Sequence, residues 1–562
     1  MTTSACARGT TLAQRHRGPI DGRIVRAAVA AMVIAHASDA GGQTHVHGVD
    51  TLGIVDFPVS CSAAAQPAFN RAVALLHHMT YPAAQRAFER VAAIDSRCAM
   101  AHWGVAMTLF QPLWPTRPTP AALRRGWQEV QRAEALAPPT ERERSFIASA
   151  RAFFREPEST DYWSRIRRWK EAMRAVHAAF PQDPEAAAFY ALAHLAVAPA
   201  DTTVTGHSER AASLLVEVYQ RNPDHPGAMH YLVHANDAPG RERDSLAITR
   251  RYETAAPHNA HALHMPTHIY VRLGDWPAVI RGNEKAADAA RGQPAGDSGQ
   301  YVWDEFPHAI EYLVYAELQR GADQAALAQV KRLRGTARLE PTFKTAFHLA
   351  STQARYSLER HAWTEAMALV PRQPPALDWE RFPWAEAITW FARGVGGARA
   401  GGVATAEAAH NRLAELETAA GKTGEALFAR NVRMLRLAVG AWIAHAKHDT
   451  AASVRLMQEA VDLEASTPKH PVTPAPTLPA LELLGDLLMD QRRAPEALAA
   501  YTRSLERYPR RFNSLLGSAR ASLAAGDTVR ARASYEQFLE VAEQGDRSAP
   551  LDEARRFISS RR

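Results

Sequence analysis

Residues 481–507, LELLGDLLMDQRRAPEALAAYTRSLER, decide the fold once they are set above residues 515–541, LLGSARASLAAGDTVRARASYEQFLEV. Ala497 and Ala531 are 34 residues apart, as are Tyr501 and Tyr535, and Leu505 and Leu539. Gly485 and Ala519 keep the same interval and precede the two alanines by twelve positions. A small residue there lets two helices cross closely, and the aromatic fills the groove between hairpins. Pro509 closes the first copy.

The same grammar extends toward the N-terminus. Ala84 and Phe88 lead into Asp95-Ser96 and a new helix from Ala99. Pro223 and Pro257 are again 34 apart, so the next helices start at Pro226 and Ala260. Gly274 and Gly321 end the first helices of two further hairpins. Residues 281–300 carry a helix and then a polar turn around Gly292–Gly296. Helices also fit 121–136, 160–178, 185–197, 207–221, 344–358, 383–400, 403–419, 424–446 and 449–465. Hydrophobic residues make up 46% of 562, enough for an extensive core. Valine, isoleucine and threonine never gather into alternating runs, so no strand is expected. The pattern predicts an all-α solenoid of tetratricopeptide type, a right-handed superhelix with the first helix of each hairpin on its concave face. We expect this array over 41–465, a proline-rich linker over 466–480, a C-terminal repeat pair over 481–545 and a tail over 546–562.

The net charge is +7, of which residues 1–40 supply +3 through Arg8, Arg15, Arg17, Arg23 and Arg26 against Asp21 and Asp39. The remainder is mixed in sign, with no basic stripe interleaved with aromatics, so no nucleic-acid partner is expected. Arg23 and Arg26 precede an apolar stretch, Ala27 to Ala37, ending in Ala35-His36-Ala37. This reads as an export signal over 1–40, and the mature chain as periplasmic or secreted with no permanent membrane span. Removing it takes Cys6 and leaves Cys61 and Cys98. These either pair in an oxidising compartment or stand as small buried hydrophobes. No CxxC occurs, which excludes a thioredoxin-type redox site.

The repeat register also sorts the histidines. Position five is His230 in one hairpin and His264 in the next, and position nine is His234 and then His268, each pair 34 apart. Asp237 takes position twelve of the first hairpin and His261 position two of the second. Counting from Gly321 places His308 and Glu311 at positions two and five of the following one. Histidines at i and i+4 share a helix face and can chelate one ion. His230, His234, His264 and His268 are therefore the candidate metal ligands. Asp237 and Glu311 are candidates for catalysis, either orienting a ligand or serving as base toward bound water. His261, His308, Tyr231 and Tyr315 are candidate binding residues on the same wall. Imidazole suits zinc, copper, iron or nickel, with zinc and copper foremost.

Pro266 falls inside the second pair and should kink the helix. Met265 follows His264, which rejects an HExxH protease site. His77-His78 reads as a helix end where positive charge is favoured. His45 and His47 offer a weak site near the mature N-terminus. Trp103, Trp114, Trp163, Trp169, Trp276, Trp384 and Trp390 read as packing residues.

Several strings are specific: Ser60-Cys61-Ser62, Cys98–Gly104 (CAMAHWG), His225-Pro226-Gly227 with His230-Tyr231 and His234-Ala235, and His261–His268 (HALHMPTH). They resemble a family of bacterial, often exported, tetratricopeptide proteins across roughly residues 50–400. The resemblance implies the fold and export, and it carries no established reaction. The family's two cysteines match Cys61 and Cys98, implying a structural disulfide; Ser96 stands where the family has proline. Two functions follow as expectations. One is an exported scaffold that binds a protein, a peptide or a small ligand in its concave groove. The other is a metal-binding protein or metal-dependent hydrolase or oxidase built on the histidines of 230–268.

Overall fold

The structure, a computed structural model, describes residues 51–114, 117–201, 206–296 and 298–560. The predicted helical hairpins are present, with starts and ends close to those read from sequence: Pro226–Asn236 and Ala260–His264 begin at the expected residues. Buried Tyr501 lies between helices as the repeat demands: a Cβ on Gly485 would come within 2.6 Å of its ring, and one on Gly104 within 2.2 Å of Phe88. Gly274 and Gly321 end their helices in the left-handed region, both at φ 66°, where glycine carries no Cβ penalty.

The inner helices have almost no free face. Pro184–Val197, Glu305–Gln319 and Phe343–Leu358 are buried nearly all round. A helix apolar or small on every side must be covered on every side. The cover comes from distant repeats: Gln66–His77 packs on Pro226–Asn236, and Glu305–Gln319 on Phe512–Ala524. The inner wall is therefore a packed interior.

Three features differ from the sequence reading. Pro294–Ala295 and Tyr301–Val302 form a short antiparallel ribbon, the only strands among the described residues. Residues 466–480, expected as a linker, form an irregular strap packed into the fold, with Val472, Ala475 and Leu478 buried. Proline forbids helix there but not burial, and the buried Arg355 guanidinium supplies donors to the Pro476, Thr477 and Ala475 carbonyls. The expected tail contains the helix Ser548–Ser559, anchored by buried Leu551 and Ala554. As expected, Pro266 interrupts the helix, parting Ala260–His264 from Pro266–Leu273 at Met265, whose dihedrals remain right-handed. As the first residue of the new segment, Pro266 loses nothing by lacking an N–H.

Cys61 and Cys98 are disulfide-bonded. No described helix is long and apolar enough to cross a membrane. The export signal expected over 1–40, with Cys6, His45 and His47, lies outside the described residues.

Candidate metal centre

Five neighbouring inner helices bring the chemistry together. Gln66–His77 ends beside His78. Pro226–Asn236 carries His230 and His234, the split helix 260–273 carries His261, His264 and His268, Glu305–Gln319 carries His308, and Phe343–Leu358 carries His348. The ligand atoms form two trios, His230/His234/His261 and His264/His268/His308, each lying within 4.8 Å of one another. The four-histidine set expected from the repeat is thus divided between trios. His261 and His308, expected as binding residues, complete them. The trios adjoin: the His264 and His308 ring centroids lie 4.3 Å apart, those of His234 and His268 6.0 Å, and those of His261 and His264 6.2 Å.

Hydrogen bonding fixes two protons of the second trio. His264 Nδ1 lies 2.7 Å from Asn283 Oδ1, and the Asn283 amide nitrogen is committed to the Val279 carbonyl at 2.8 Å. Nδ1 must therefore donate. His268 Nδ1 donates to Asp237 Oδ2 at 2.9 Å. His348 Nδ1 lies 2.5 Å from Glu311 Oε2, and its Nε2 lies 3.0 Å from His308 Nδ1. Burial, reinforced by the neighbouring imidazoles, holds His264 and His308 well below the ordinary histidine pKa, and burial likewise lowers His268. The outer partners place a proton on Nδ1 of His264 and of His268. Their Nε2 lone pairs then face one another, His264 and His268 at 3.0 Å. The nearest outside donor, the Tyr312 hydroxyl, is 3.4 Å from both His268 nitrogens and lies over the ring.

The first trio is built alike. His230 Nδ1 donates to the His77 carbonyl at 2.6 Å, so its Nε2 lone pair faces His234 Nε2 at 3.2 Å and His261 Nε2 at 3.1 Å. His261 Nδ1 is bound to Glu305 Oε2 at 3.0 Å. Burial and the other imidazoles hold His230 and His234 well below the usual range.

Charged residues surround the two trios. Asp237 is engaged on both oxygens, by His268 and Lys469 on one and Arg272 on the other. Burial alone would raise its pKa, but Lys469 and Arg272 pull it well below the carboxylate range. Glu311 is engaged by His348 and Arg355, Glu305 by His261 and Lys344. Lys344 also reaches Asp304 at 3.2 Å and sits 3.8 Å over the Trp114 ring. Trp114, expected as plain packing, is part of the site: its ring meets His261 edge-on at 5.1 Å. Beside both trios lies a cavity of about 20 Å³, walled by Met79, Trp114, Met265, Lys344, Pro471 and Val472 together with the histidines. It has room for one water-sized group.

The remaining expected residues serve other ends. Tyr231 and Tyr315 are buried and line no open groove. Tyr231 bonds to His77 Nδ1 at 3.0 Å, and Tyr315 accepts from Arg511. His77 and His78 are buried, not a solvated helix end; His78 is pushed down to about 3 by burial. His77, Glu185 and His225 form a third close group, in which Glu185 Oε1 and His225 Nε2 are buried without a hydrogen-bond partner. Glu185 takes the His77 Nε2 proton at 2.8 Å and faces His225 Nε2 at 3.2 Å, while His225 Nδ1 accepts from the Ala228 N–H. Gly227 makes room for it: a Cβ there would lie 2.5 Å from His77 Nδ1.

No family model and no curated protein sequence matches this chain. Among solved structures, the Cut9–Hcn1 hetero-tetramer of APC/C aligns at 14% identity and a TM-score of 0.30, covering 88% of this chain and 90% of that one. The human IFIT1 dimer with PPP-AAAA aligns at 14% and 0.35, covering 84% and 89%. The same dimer with m7Gppp-AAAA aligns at 12% and 0.36, covering 87% and 92%. The fold assignment here rests on the helical hairpins themselves.

Asn283, Glu305, Lys344, His348 and Lys469 escaped the sequence reading. His348 follows His308 by 40 residues because residues 335–342 intervene, so a 34-residue count passes over it. Asn283 sits on the second helix of its hairpin and Lys469 in the proline-rich strap, where repeat position carries no information. Glu305 alone left a signal, one turn before His308 on the same helix.

Proposed function

We propose that this protein is a metal-binding protein, exported, that holds two adjacent ions, one in each three-histidine trio. The observation that supports this reading is the close approach of His264, His268 and His308, with every Nδ1 held by a partner outside the trio. Neutral imidazoles held by outer carboxylates, carbonyls and amides are the arrangement metal-ligating histidines adopt. Two nitrogens on one tetrahedral ion at about 2.0–2.1 Å stand about 3.3–3.4 Å apart. The Nε2 separations of 3.0, 3.1 and 3.2 Å are close to that edge. Asp237 and Glu311, with both oxygens engaged, suit the orienting role rather than that of a base. A peptide groove on this wall is disfavoured, since His261, His308, Tyr231 and Tyr315 are buried. The disulfide fits an oxidising compartment, in keeping with export.

Elemental analysis of the full chain, expressed without a polyhistidine tag, tests the reading. About two transition-metal ions per chain are expected, and His264→Ala combined with His268→Ala removes at least one of them while the helical circular dichroism persists. A chain that stays metal-free after dialysis against zinc and copper salts overturns it.

A further inference from the structure

The cavity beside the trios is walled by two methionines as well as by histidines. Met79 follows the first inner helix, and Met265 stands between His264 and Pro266. Both are buried and both border the space that His234, His261, His268 and His308 border. A thioether is soft and polarizable; it adds little for zinc or magnesium and much for cuprous copper. No carboxylate oxygen belongs to either trio, so hard cations find no ligand of their own kind.

Charge points the same way. Around the trios stand four carboxylates, Asp237, Asp304, Glu305 and Glu311, and four cations, Arg272, Lys344, Arg355 and Lys469, bonded to one another. The shell is balanced before any ion enters. Two divalent ions would bring four positive charges into this buried enclosure with nothing left over to offset them. Two monovalent ions bring half as many. Desolvation of an uncompensated charge is steeply unfavourable, so the enclosure favours the lower charge.

We propose that the centre is selective for copper in its cuprous state, with Met79 and Met265 as the residues that distinguish copper from zinc. This rests on the metal-binding reading above and goes beyond it in naming the ion and the two sulfurs. Binding alone is proposed, with no electron transferred.

The test uses the full-length apo chain under anaerobic conditions, titrated with cuprous copper against bicinchoninate and, separately, with zinc against a chromophoric chelator. Cuprous copper is expected to bind at least a hundredfold more tightly than zinc. The variant Met79→Leu with Met265→Leu is expected to lose at least tenfold in cuprous affinity while its zinc affinity stays within about threefold, since leucine keeps the volume and removes the sulfur. Zinc bound as tightly as copper, or an equal loss for both ions, overturns the copper assignment and leaves the metal centre standing. Absence of binding by either ion removes both. Copper K-edge absorption of the wild-type cuprous protein gives a reading independent of the variant's folding: a sulfur scatterer supports the assignment, and a shell of nitrogen alone overturns it.

Discussion

Replacing Asn283 with leucine separates a ligand-orienting network from ordinary core packing. Asn283 is fully buried, accepts the His264 Nδ1 proton at 2.7 Å and is itself fixed by the Val279 carbonyl. Leucine has a similar volume and no acceptor. The His264 N–H would then be buried without a partner, at about 1–3 kcal/mol. His264 has one escape, which is to move its proton to Nε2 and donate to His268 Nε2, 3.0 Å away. That recovers about 0.5–1.5 kcal/mol, so the apo protein loses little stability. It also takes a lone pair out of the trio, and an incoming ion must reverse the shift. Loss of such an outer partner weakens metal binding about 10–100-fold, or about 1.4–2.7 kcal/mol. Zinc titration against a chromophoric chelator, with apo melting curves alongside, reads both quantities. Unchanged zinc affinity in Asn283→Leu, with a clear drop in apo melting temperature, would refute the reasoning and make Asn283 a packing residue.

Acid should unfold the apo protein early. Burial pushes His78 and His470 down to about 3, so both are neutral when folded, whereas in the unfolded chain they titrate near 6.5. The unfolded state therefore binds more protons below that pH, and stability falls as pH drops through it. From pH 6.5 to about pH 5 these two residues alone remove about 3 kcal/mol; denaturant midpoints that stay flat across this window would contradict the burial. Reducing the disulfide reopens a loop with a sequence separation of 37, which corresponds to about 4 kcal/mol. Urea unfolding of Cys61→Ser with Cys98→Ser should show a loss of that order at unchanged metal content, and no loss would mean that the bond is unformed in the purified protein.

The fold was legible because its rule is local: a small residue, an alanine and an aromatic recur every 34 positions, and Gly485 against Tyr501 shows the contact behind them. Winding was not legible. Nothing in the 34-residue period says that Gln66–His77 will meet Pro226–Asn236, and this contact turns an expected groove into an interior. The same limit governed the site. Repeat register found His230, His234, His264, His268, His261 and His308, because ligands at fixed positions on successive inner helices converge. It assigned four to one ion and two to binding, since register orders residues along the wall without giving the distances between rings. Partners from second helices, insertions and the strap, namely Asn283, His348 and Lys469, depend on three-dimensional closure.

Anomalous diffraction from crystals of the metal-loaded chain, recorded at the absorption edge of the ion found by elemental analysis, tests the central claim most directly. The account predicts two peaks, one about 2.0–2.1 Å from the Nε2 atoms of His230, His234 and His261 and the other at that distance from those of His264, His268 and His308. A map with no peak at either trio, or with metal only at surface histidines, would contradict it.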